Sequence, residues 1–196
     1  MVLYRSAKST FGDAVENFRL ARMHNYRRVY AHPASVFFER GIANLATKEI
    51  ASLSVEPAEG SSFLISVFDL PESMLPSFYE REEEFRIISA EFTELDGTIG
   101  GKGLMCTRWT DEEYIATRGQ EAFDTLYKKH GVDTIWGWGI NSGILPCRKL
   151  GEHVYEDFVT TTFLSDRTTT IQEYIAANPS IMDEQPPAHL AERYNG

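Results

Sequence analysis

An acidic run at positions 79–85 holds the residue types best suited to proton transfer. The segment reads YEREEEF, so four glutamates (Glu80, Glu82, Glu83 and Glu84) lie within five positions. Such a run is typical of a solvated helix end. Here it follows a hydrophobic strand and a short amphipathic helix and leads straight into another strand, so a carboxylate can project over the end of a sheet. Neighbouring acids and partial burial both raise the pKa of a carboxyl group toward neutral, which is the tuning that a general base needs.

The other reactive residue types form no recognisable motif. The two cysteines, Cys106 and Cys147, form no CxxC pair and predict reduced thiols in a cytosolic protein. The five histidines are scattered without HExxH or paired spacing, so no metal site is predicted. The stretch GTIGGKG (97–103) has four glycines but lacks the GxxxxGKS or GxxxxGKT spacing of a phosphate loop, which favours a hairpin or a flexible loop. The acidic run is therefore the leading candidate.

Length and charge restrict the class of protein and its partners. The chain has 196 residues, 42% of them hydrophobic and 24% charged, which fits one globular domain. Asp and Glu total 29 against 19 Lys and Arg, which gives a formal net charge of -10. Because a nucleic-acid backbone or an anionic membrane is repelled on average, we expect a small substrate or a protein partner, and neither nucleic acid nor membrane. No apolar run approaches the roughly 20 residues of a spanning helix and no signal-peptide core is present, so we expect a cytoplasmic protein.

The arginines are concentrated in one part of the chain. Residues 13–30 contain the only dense basic cluster, formed by Arg19, Arg22, Arg27 and Arg28. We interpret these residues as surface arginines that pair with the excess acid.

An aromatic-glycine stretch, WGWG at 136–139, is unusual in composition. A packed turn and a pocket wall are both open interpretations. The same aromatic side chains at 136–138 also make a homodimer contact possible.

Periodicity and turn residues predict strands first, then one short helix, further strands and a series of helices. Strands are predicted at the end of 13–30, on both sides of a tight loop at 39–41 within 33–46, at 61–70, at 86–95 and at 103–109. Helices are predicted from Leu70-Pro71 to the acidic run, after Thr110, at 120–130, from Ile144 and at 171–175. This order predicts an α+β fold with a small curved, mixed, mainly antiparallel β-sheet or barrel and flanking helices. Residues 1–178 form the single domain, and 179–196 form a polar C-terminal tail that is extended or disordered.

Several short segments together resemble the gamma-glutamylcyclotransferase-like superfamily, over most of residues 18–175. The segments are GIANL (41–45), FLISVFDLP (63–71), YEREEEF (79–85), SGILPC (142–147) and FLSDRTTTIQEYI (163–175). In that family a short helix after the strand carries a Leu-Asp-x-x-Glu or Arg-Glu-x-x-Tyr element whose glutamate is the catalytic acid and base. Here Arg81-Glu82-x-x-Phe85 matches, with Phe85 in place of the tyrosine and Phe78-Tyr79 in place of the Leu-Asp pair, so the resemblance implies that Glu82 is catalytic. Glu80 and Glu83 stay open as alternatives, because a shift of one residue is easy in this run.

The resemblance also implies residues that bind the substrate. The family's glycine loop corresponds to Gly41 and Ile42, which would line the pocket, although Gly41 also fits an ordinary hairpin. Arg40 can pair with a substrate carboxylate or with an acid such as Glu39. The family's N-terminal Tyr-Gly-Ser loop has only a departing counterpart in Tyr4-Arg5-Ser6, where Arg5 replaces the glycine that lets the backbone approach a ligand. In an alternative alignment this loop lies upstream of Met1.

The family's reaction is the release of 5-oxoproline from a gamma-glutamyl amino acid or amine, by attack of the substrate's own α-amine on its γ-amide. The resemblance implies this reaction here, with a small gamma-glutamyl substrate and without metal or organic cofactor. The departing N-terminal loop favours a different outcome, a catalytically inactive member that binds a ligand or a protein partner through the same pocket. A third alternative is an enzyme of the same fold that acts on another amide or on a gamma-glutamyl group attached to a protein.

Overall fold

Two long strands form the centre of the molecule because residues 16–32 and 52–69 can pair side by side over nearly their whole length. A computed structural model describes residues 4–32, 41, 43, 51–82, 85–124, 137–185 and 188–190, with backbone alone at 4–6, 137–142 and 190. The strands are β1 (Glu16–His32), β2 (Ser52–Asp69), β3 (Arg86–Glu94), β4 (Ile99–Thr107) and β5 (Thr162–Phe163). The helices are α1 (Tyr4–Phe11), α2 (Leu75–Arg81), α3 (Asp111–Arg118), α4 (Gln120–Ala122), α5 (Gly137–Leu150), α6 (Glu152–Thr161) and α7 (Ile171–Ala177). Short 3-10 turns lie at Gly12–Ala14, Glu72–Met74, Pro179–Asp183 and Ala188–Leu190.

The sheet has the order β2-β1-β3-β4 with antiparallel neighbours, and β5 pairs with β1 in parallel. This arrangement confirms the predicted α+β fold with a mainly antiparallel sheet and flanking helices. The sheet is open, since no ladder joins β2 to β4 within the described ranges. Curvature nevertheless brings these edges together at one point, where the N–H of Arg108, just after β4, donates to the carbonyl of Val55 in β2 at 3.0 Å.

Local signals place the boundaries of several elements close to their predicted positions. Capping boxes begin two helices: Thr110 and Glu113 cap α3, and Thr170 and Glu173 cap α7. Residues 97–103, predicted as a hairpin or loop, divide between a turn and the start of β4. Gly100 is required within this strand because a Cβ there would lie 2.2 Å from the ring of Phe92.

Among the described residues, the core forms three clusters around the sheet. The largest lies between the sheet and helices α5, α6 and α7, and it includes Phe158 and Ile144, both fully buried. The second lies among the strands themselves, and the third forms where α1 packs against α2. Ile181 belongs to the first cluster, so packing continues into the segment that was expected to be a tail.

Some predicted elements differ from the structure or lie outside its described part. Helix α5 begins at 137, seven residues before the predicted start at Ile144, and it therefore includes the glycines of the aromatic-glycine stretch in a helix rather than a turn. The predicted strands within 33–46, Trp136, and most of the predicted helix at 120–130 lie outside the described residues. None of the described helices is long and apolar enough to cross a membrane.

Candidate functional site

The end of helix α2 fixes the backbone of Glu82. Phe78 is buried and anchors this helix against α1, with its ring centroid 6.5 Å from that of Phe11. The N–H of Glu82 donates to the carbonyl of Phe78 at 3.1 Å, and the N–H of Phe85 donates to the carbonyl of Glu82 at 2.9 Å. Glu82 thus occupies the junction between a helix and the strand that begins at Arg86, as the sequence predicted.

The side chain of Glu82 is sheltered, with 13% of its area exposed. Arg81 Nε donates to Glu82 Oε1 at 2.8 Å. Arg81 is itself held by α1, because its Nη1 donates to the hydroxyl of Thr10 and its guanidinium lies 5.8 Å from the ring centre of Phe11. The N-terminal helix therefore sets the orientation of the Arg81–Glu82 pair.

A thiol connects Glu82 to the inside of the curved sheet. Burial raises the pKa of Cys106 to about 12, and the charge of Glu82 and a hydrogen bond to Glu82 add to the effect. Cys106 lines a cavity of about 400 Å³ that β2 and β4 enclose over a floor including Met23 and Phe92. Glu82 does not line this cavity, so its carboxylate lies behind the wall, one hydrogen bond away through Cys106.

Exposure distinguishes the candidates in the acidic run. Glu80 is exposed, whereas Glu82 is sheltered. Glu83 and Glu84 lie outside the described residues. Of the described candidates, Glu82 is the one whose side chain is sheltered and lies beside a residue of the cavity wall, Cys106.

The predicted binding residues do not all lie in the described part of the structure. Arg40 and Ile42 lie outside the described residues, and Gly41 is exposed in a turn with φ +65°, a conformation that favours glycine. Tyr4, Arg5 and Ser6 form the first turn of α1 rather than a loop after a strand. The same helix packs beside the Glu82 junction, since its buried Ala7 and Phe11 share a core cluster with Phe78.

Three arginines surround Glu56, a buried acid that the sequence analysis does not single out. Arg27 Nε and Arg108 Nε each donate to this carboxylate at 2.8 Å, and Arg167 binds both oxygens at 3.1 Å. Burial alone would raise the pKa of Glu56, but the hydrogen bonds and charges of the three guanidiniums hold it below its ordinary value. Residues 27, 56, 108 and 167 are far apart in the sequence, so no local pattern signals this site.

The Glu56 cluster forms the base of a second cavity, with a volume of about 330 Å³. Arg86 also faces this cavity, as do Tyr26 and Trp109. This cavity shares no lining residue with the one beside Cys106.

The interpretation of the 13–30 cluster as surface arginines is wrong for Arg28. Its side chain is 1% exposed and donates to Asp157 Oδ2 at 2.7 Å, and its guanidinium lies 4.9 Å from the ring centres of both Phe63 and Phe158. Burial lowers the pKa of Arg28, and Asp157 counteracts part of this effect. A partly exposed residue of the cluster, Arg22, also approaches Asp157, at 3.7 Å. The pair between Arg28 and Asp157 joins the sheet to α6.

No protein-family model matches the sequence, and no curated protein matches it. Similar solved structures include an uncharacterised human protein, with a TM-score of 0.44, 11% identity, and coverage of 64% of this chain and 82% of the human chain. They also include a gamma-glutamyl cyclotransferase, with a TM-score of 0.43, 12% identity, and coverage of 64% of this chain and 82% of that one. A protein from Arabidopsis thaliana has a TM-score of 0.31 and 10% identity, and the match covers 57% of this chain and 72% of the plant chain.

In the described ranges, no group of three or more His, Cys, Asp or Glu side chains is arranged to hold a metal ion.

Proposed function

We propose that this protein is a gamma-glutamylcyclotransferase-like enzyme that releases 5-oxoproline from a gamma-glutamyl amino acid or amine, with Glu82 as the general acid and base. The observation that carries the proposal is the sheltered carboxylate of Glu82, held by Arg81 and hydrogen-bonded to a thiol in the wall of a cavity. The segments that resemble the superfamily lead to the same residue.

The proposed reaction is an intramolecular acyl transfer. The α-ammonium group of the substrate gives a proton to Glu82, and the resulting amine attacks the γ-carbonyl carbon to form a carbon–nitrogen bond. The tetrahedral intermediate then breaks its bond to the departing nitrogen as that nitrogen takes the proton back from Glu82. The ring nitrogen still carries one proton more than the neutral lactam, so the ionised Glu82 accepts this second proton and passes it to the released amine. The products are 5-oxoproline and the released amine in its ammonium form, and no water is consumed. The substrate supplies the proximity, which is worth up to roughly 7–11 kcal/mol, so the protein has to hold the folded-back conformer and move two protons in turn.

The cavity beside Cys106 is the proposed substrate site. Its volume, about 400 Å³, lies in the range of about 300–1,000 Å³ that small ligands occupy. Because Glu82 lies behind Cys106, either the thiol or the carboxylate must turn before Glu82 reaches a substrate nitrogen. Shortening the intervening side chain by Cys106→Ala should therefore leave kcat/KM at or above that of the unmodified protein.

The decisive experiment incubates the purified protein with gamma-glutamyl amino acids, gamma-glutamyl amines and glutathione, and measures 5-oxoproline. We expect release from at least one class, and a loss of about a hundredfold or more in Glu82→Gln, since a positioned acid–base group contributes typically 10²–10⁴-fold. Glu80→Gln is the matched control, because it makes the same change on the same helix at an exposed position.

Three results would contradict the proposal. One is the absence of 5-oxoproline with every class of substrate, which favours a binding protein. Another is full activity in Glu82→Gln. The last is an equal loss in Glu80→Gln and Glu82→Gln, which indicates that the acidic run acts through its total charge.

A further inference from the structure

The cavity around Glu56 carries more positive than negative charge. Among the residues that the structure describes, four arginines line it, whereas Glu56 is the one acidic lining residue. The arginines are Arg27, Arg86, Arg108 and Arg167. One carboxylate offers about four acceptor positions, and each guanidinium carries five N–H donors. Arg108 also donates to the carbonyl of Trp109, and Arg167 donates to the carbonyl of Ser165. Even without Arg108, the other three guanidiniums carry more donors than Glu56 accepts.

Two further acids approach the arginines from the rim. Glu113 Oε1 lies 3.0 Å from Arg86 Nε, and Asp111 Oδ1 lies 4.0 Å from Arg108 Nη1. Both acids are well exposed, at 36% and 54% of their side-chain area. Water and salt screen such pairs, whereas Glu56, at 7%, is shielded. The rim acids therefore compensate little of the charge at the base of the cavity.

The backbone holds Arg167 in an uncommon conformation that directs it to this cluster. Its φ is +63°, in the left-handed region that residues other than glycine rarely adopt. The preceding residue stabilises the turn, since the carboxylate of Asp166 accepts from the N–H groups of Thr168 and Thr169 at 2.8 and 2.9 Å. A guanidinium that is already fixed loses less freedom when it binds a ligand.

We propose that this cavity binds a small phosphate monoester, with the phosphate against the arginines and the organic part against Tyr26, Trp109 and Ile88. A dianion matches the excess positive charge, and guanidinium groups bind phosphate oxygens in pairs. The volume of about 330 Å³ holds a small molecule. A long polyanion is disfavoured, because the protein as a whole carries a net charge of -10.

This site is independent of the proposed cyclotransferase activity. The two cavities share no lining residue, and neither Glu82 nor Cys106 belongs to the arginine cluster. A failure of one proposal therefore leaves the other untouched.

Isothermal titration calorimetry at pH 8 and constant ionic strength tests the proposal with three probes: inorganic phosphate, phenyl phosphate and benzoate. We expect saturable binding of both phosphates, with phenyl phosphate the tighter, and weaker binding of benzoate. The absence of saturable phosphate binding at millimolar concentration would overturn the proposal. Binding of benzoate as tight as that of phenyl phosphate would overturn the phosphate class.

Arg167→Gln should weaken phenyl phosphate binding by about ten- to hundredfold, because it removes one charge-assisted hydrogen-bonding partner of the phosphate. Arg19→Gln is the matched control, since Arg19 has the same exposed fraction, 35%, and pairs with Glu94 outside the cavity. If Arg167→Gln does not fold, Arg86→Gln decides, because Arg86 is 42% exposed at the rim. Unchanged affinity in the folded variant, or the same loss in Arg19→Gln, would overturn the proposal.

Discussion

Replacing Glu82 by Gln should reveal its contact with Cys106 in a measurement that does not depend on turnover. The thiolate is the form of cysteine that reacts with alkylating reagents. With a pKa of about 12, only about one Cys106 thiol in 10⁴ is ionised at pH 8, whereas a thiol with the ordinary value of 9.0 is ionised about one time in ten. The ionised fraction of Cys106 is therefore about a thousandfold below that of an ordinary cysteine, and this thiol should react much more slowly in the folded protein.

The substitution removes the negative charge and the charged hydrogen-bond acceptor, and it leaves the burial of the thiol in place. A hydrogen bond to a charged group contributes about 1.5–3 kcal/mol, and 1.36 kcal/mol corresponds to one unit of pKa. Losing this contact should lower the pKa of Cys106 by about one to two units. The rate of alkylation at pH 8 should then rise about ten- to hundredfold, without reaching that of a fully exposed cysteine.

The assay follows iodoacetamide labelling of each cysteine by mass spectrometry, under conditions where the rate is proportional to the reagent concentration. Cys147 is an internal standard, since burial raises its pKa to about 11 and Glu82 makes no contribution there. Its rate should be equal in both proteins, and Glu80→Gln should change neither cysteine. Equal rates for Cys106 in the original protein and in Glu82→Gln would refute the contact and, with it, the geometry of the candidate site. A parallel increase at Cys147 would indicate general loosening of the fold instead.

Three further predictions concern stability. Asp157→Ala removes the partner of a buried guanidinium and should lower the free energy of unfolding, measured in urea, by about 3–5 kcal/mol. Glu156→Ala, at the exposed neighbouring position, is the control and should change it by no more than about 0.5 kcal/mol. Similar losses in the two variants would contradict the buried pair. Gly100→Ala forces a methyl group against the ring of Phe92 and should lower the free energy of unfolding by about 1–3 kcal/mol. Gly103→Ala is the control and should lower it by less, because the nearest ring atom there is 3.8 Å away. The pKa of Glu56 is lowered in the folded state, so its contribution to stability is present above pH 4.5 and is lost as the pH falls through the folded value. Glu56→Gln should therefore be less stable than the original protein at pH 7, and it should lose less stability as the pH falls below 4.5. An unchanged dependence of stability on pH would contradict this prediction.

The arrangement of strands could be predicted from the sequence to the extent that apolar residues mark them. The apolar part of β2 is predicted at 61–70, whereas the strand begins at Ser52 and includes the more polar residues 52–60. The structure explains their presence in a strand: the hydroxyl of Ser52 donates to the carbonyl of His32 at 2.6 Å, and that of Ser54 donates to the carbonyl of Val29 at 3.1 Å. Buried polar side chains of this kind are satisfied by a neighbouring strand, and a single sequence does not reveal that neighbour.

The candidate site also combines features that a short segment predicts with contacts between distant parts of the sequence. Glu82 could be singled out from a short segment, because the helix, the acidic run and the next strand are contiguous. Its relation to Cys106 depends on the register of β3 and β4, which pairs Cys106 with Ile87. The arginine cavity joins residues separated by as many as 111 positions from Glu56. Spacing alone therefore suggested surface ion pairs where the fold concentrates guanidinium groups.

The ratio of acids to arginines favours different roles for the two cavities. At the first, one arginine orients one carboxylate beside a protonated thiol, so a sheltered carboxylate lies close to a space for a small molecule. At the second, three guanidiniums hold a single carboxylate in its ionised form, which makes Glu56 poorly suited to exchange protons near neutral pH. Its contribution is instead to fix cations around a space where their charge is in excess. The same two residue types, carboxylate and guanidinium, thus favour proton transfer where the pair is balanced and anion binding where arginine predominates.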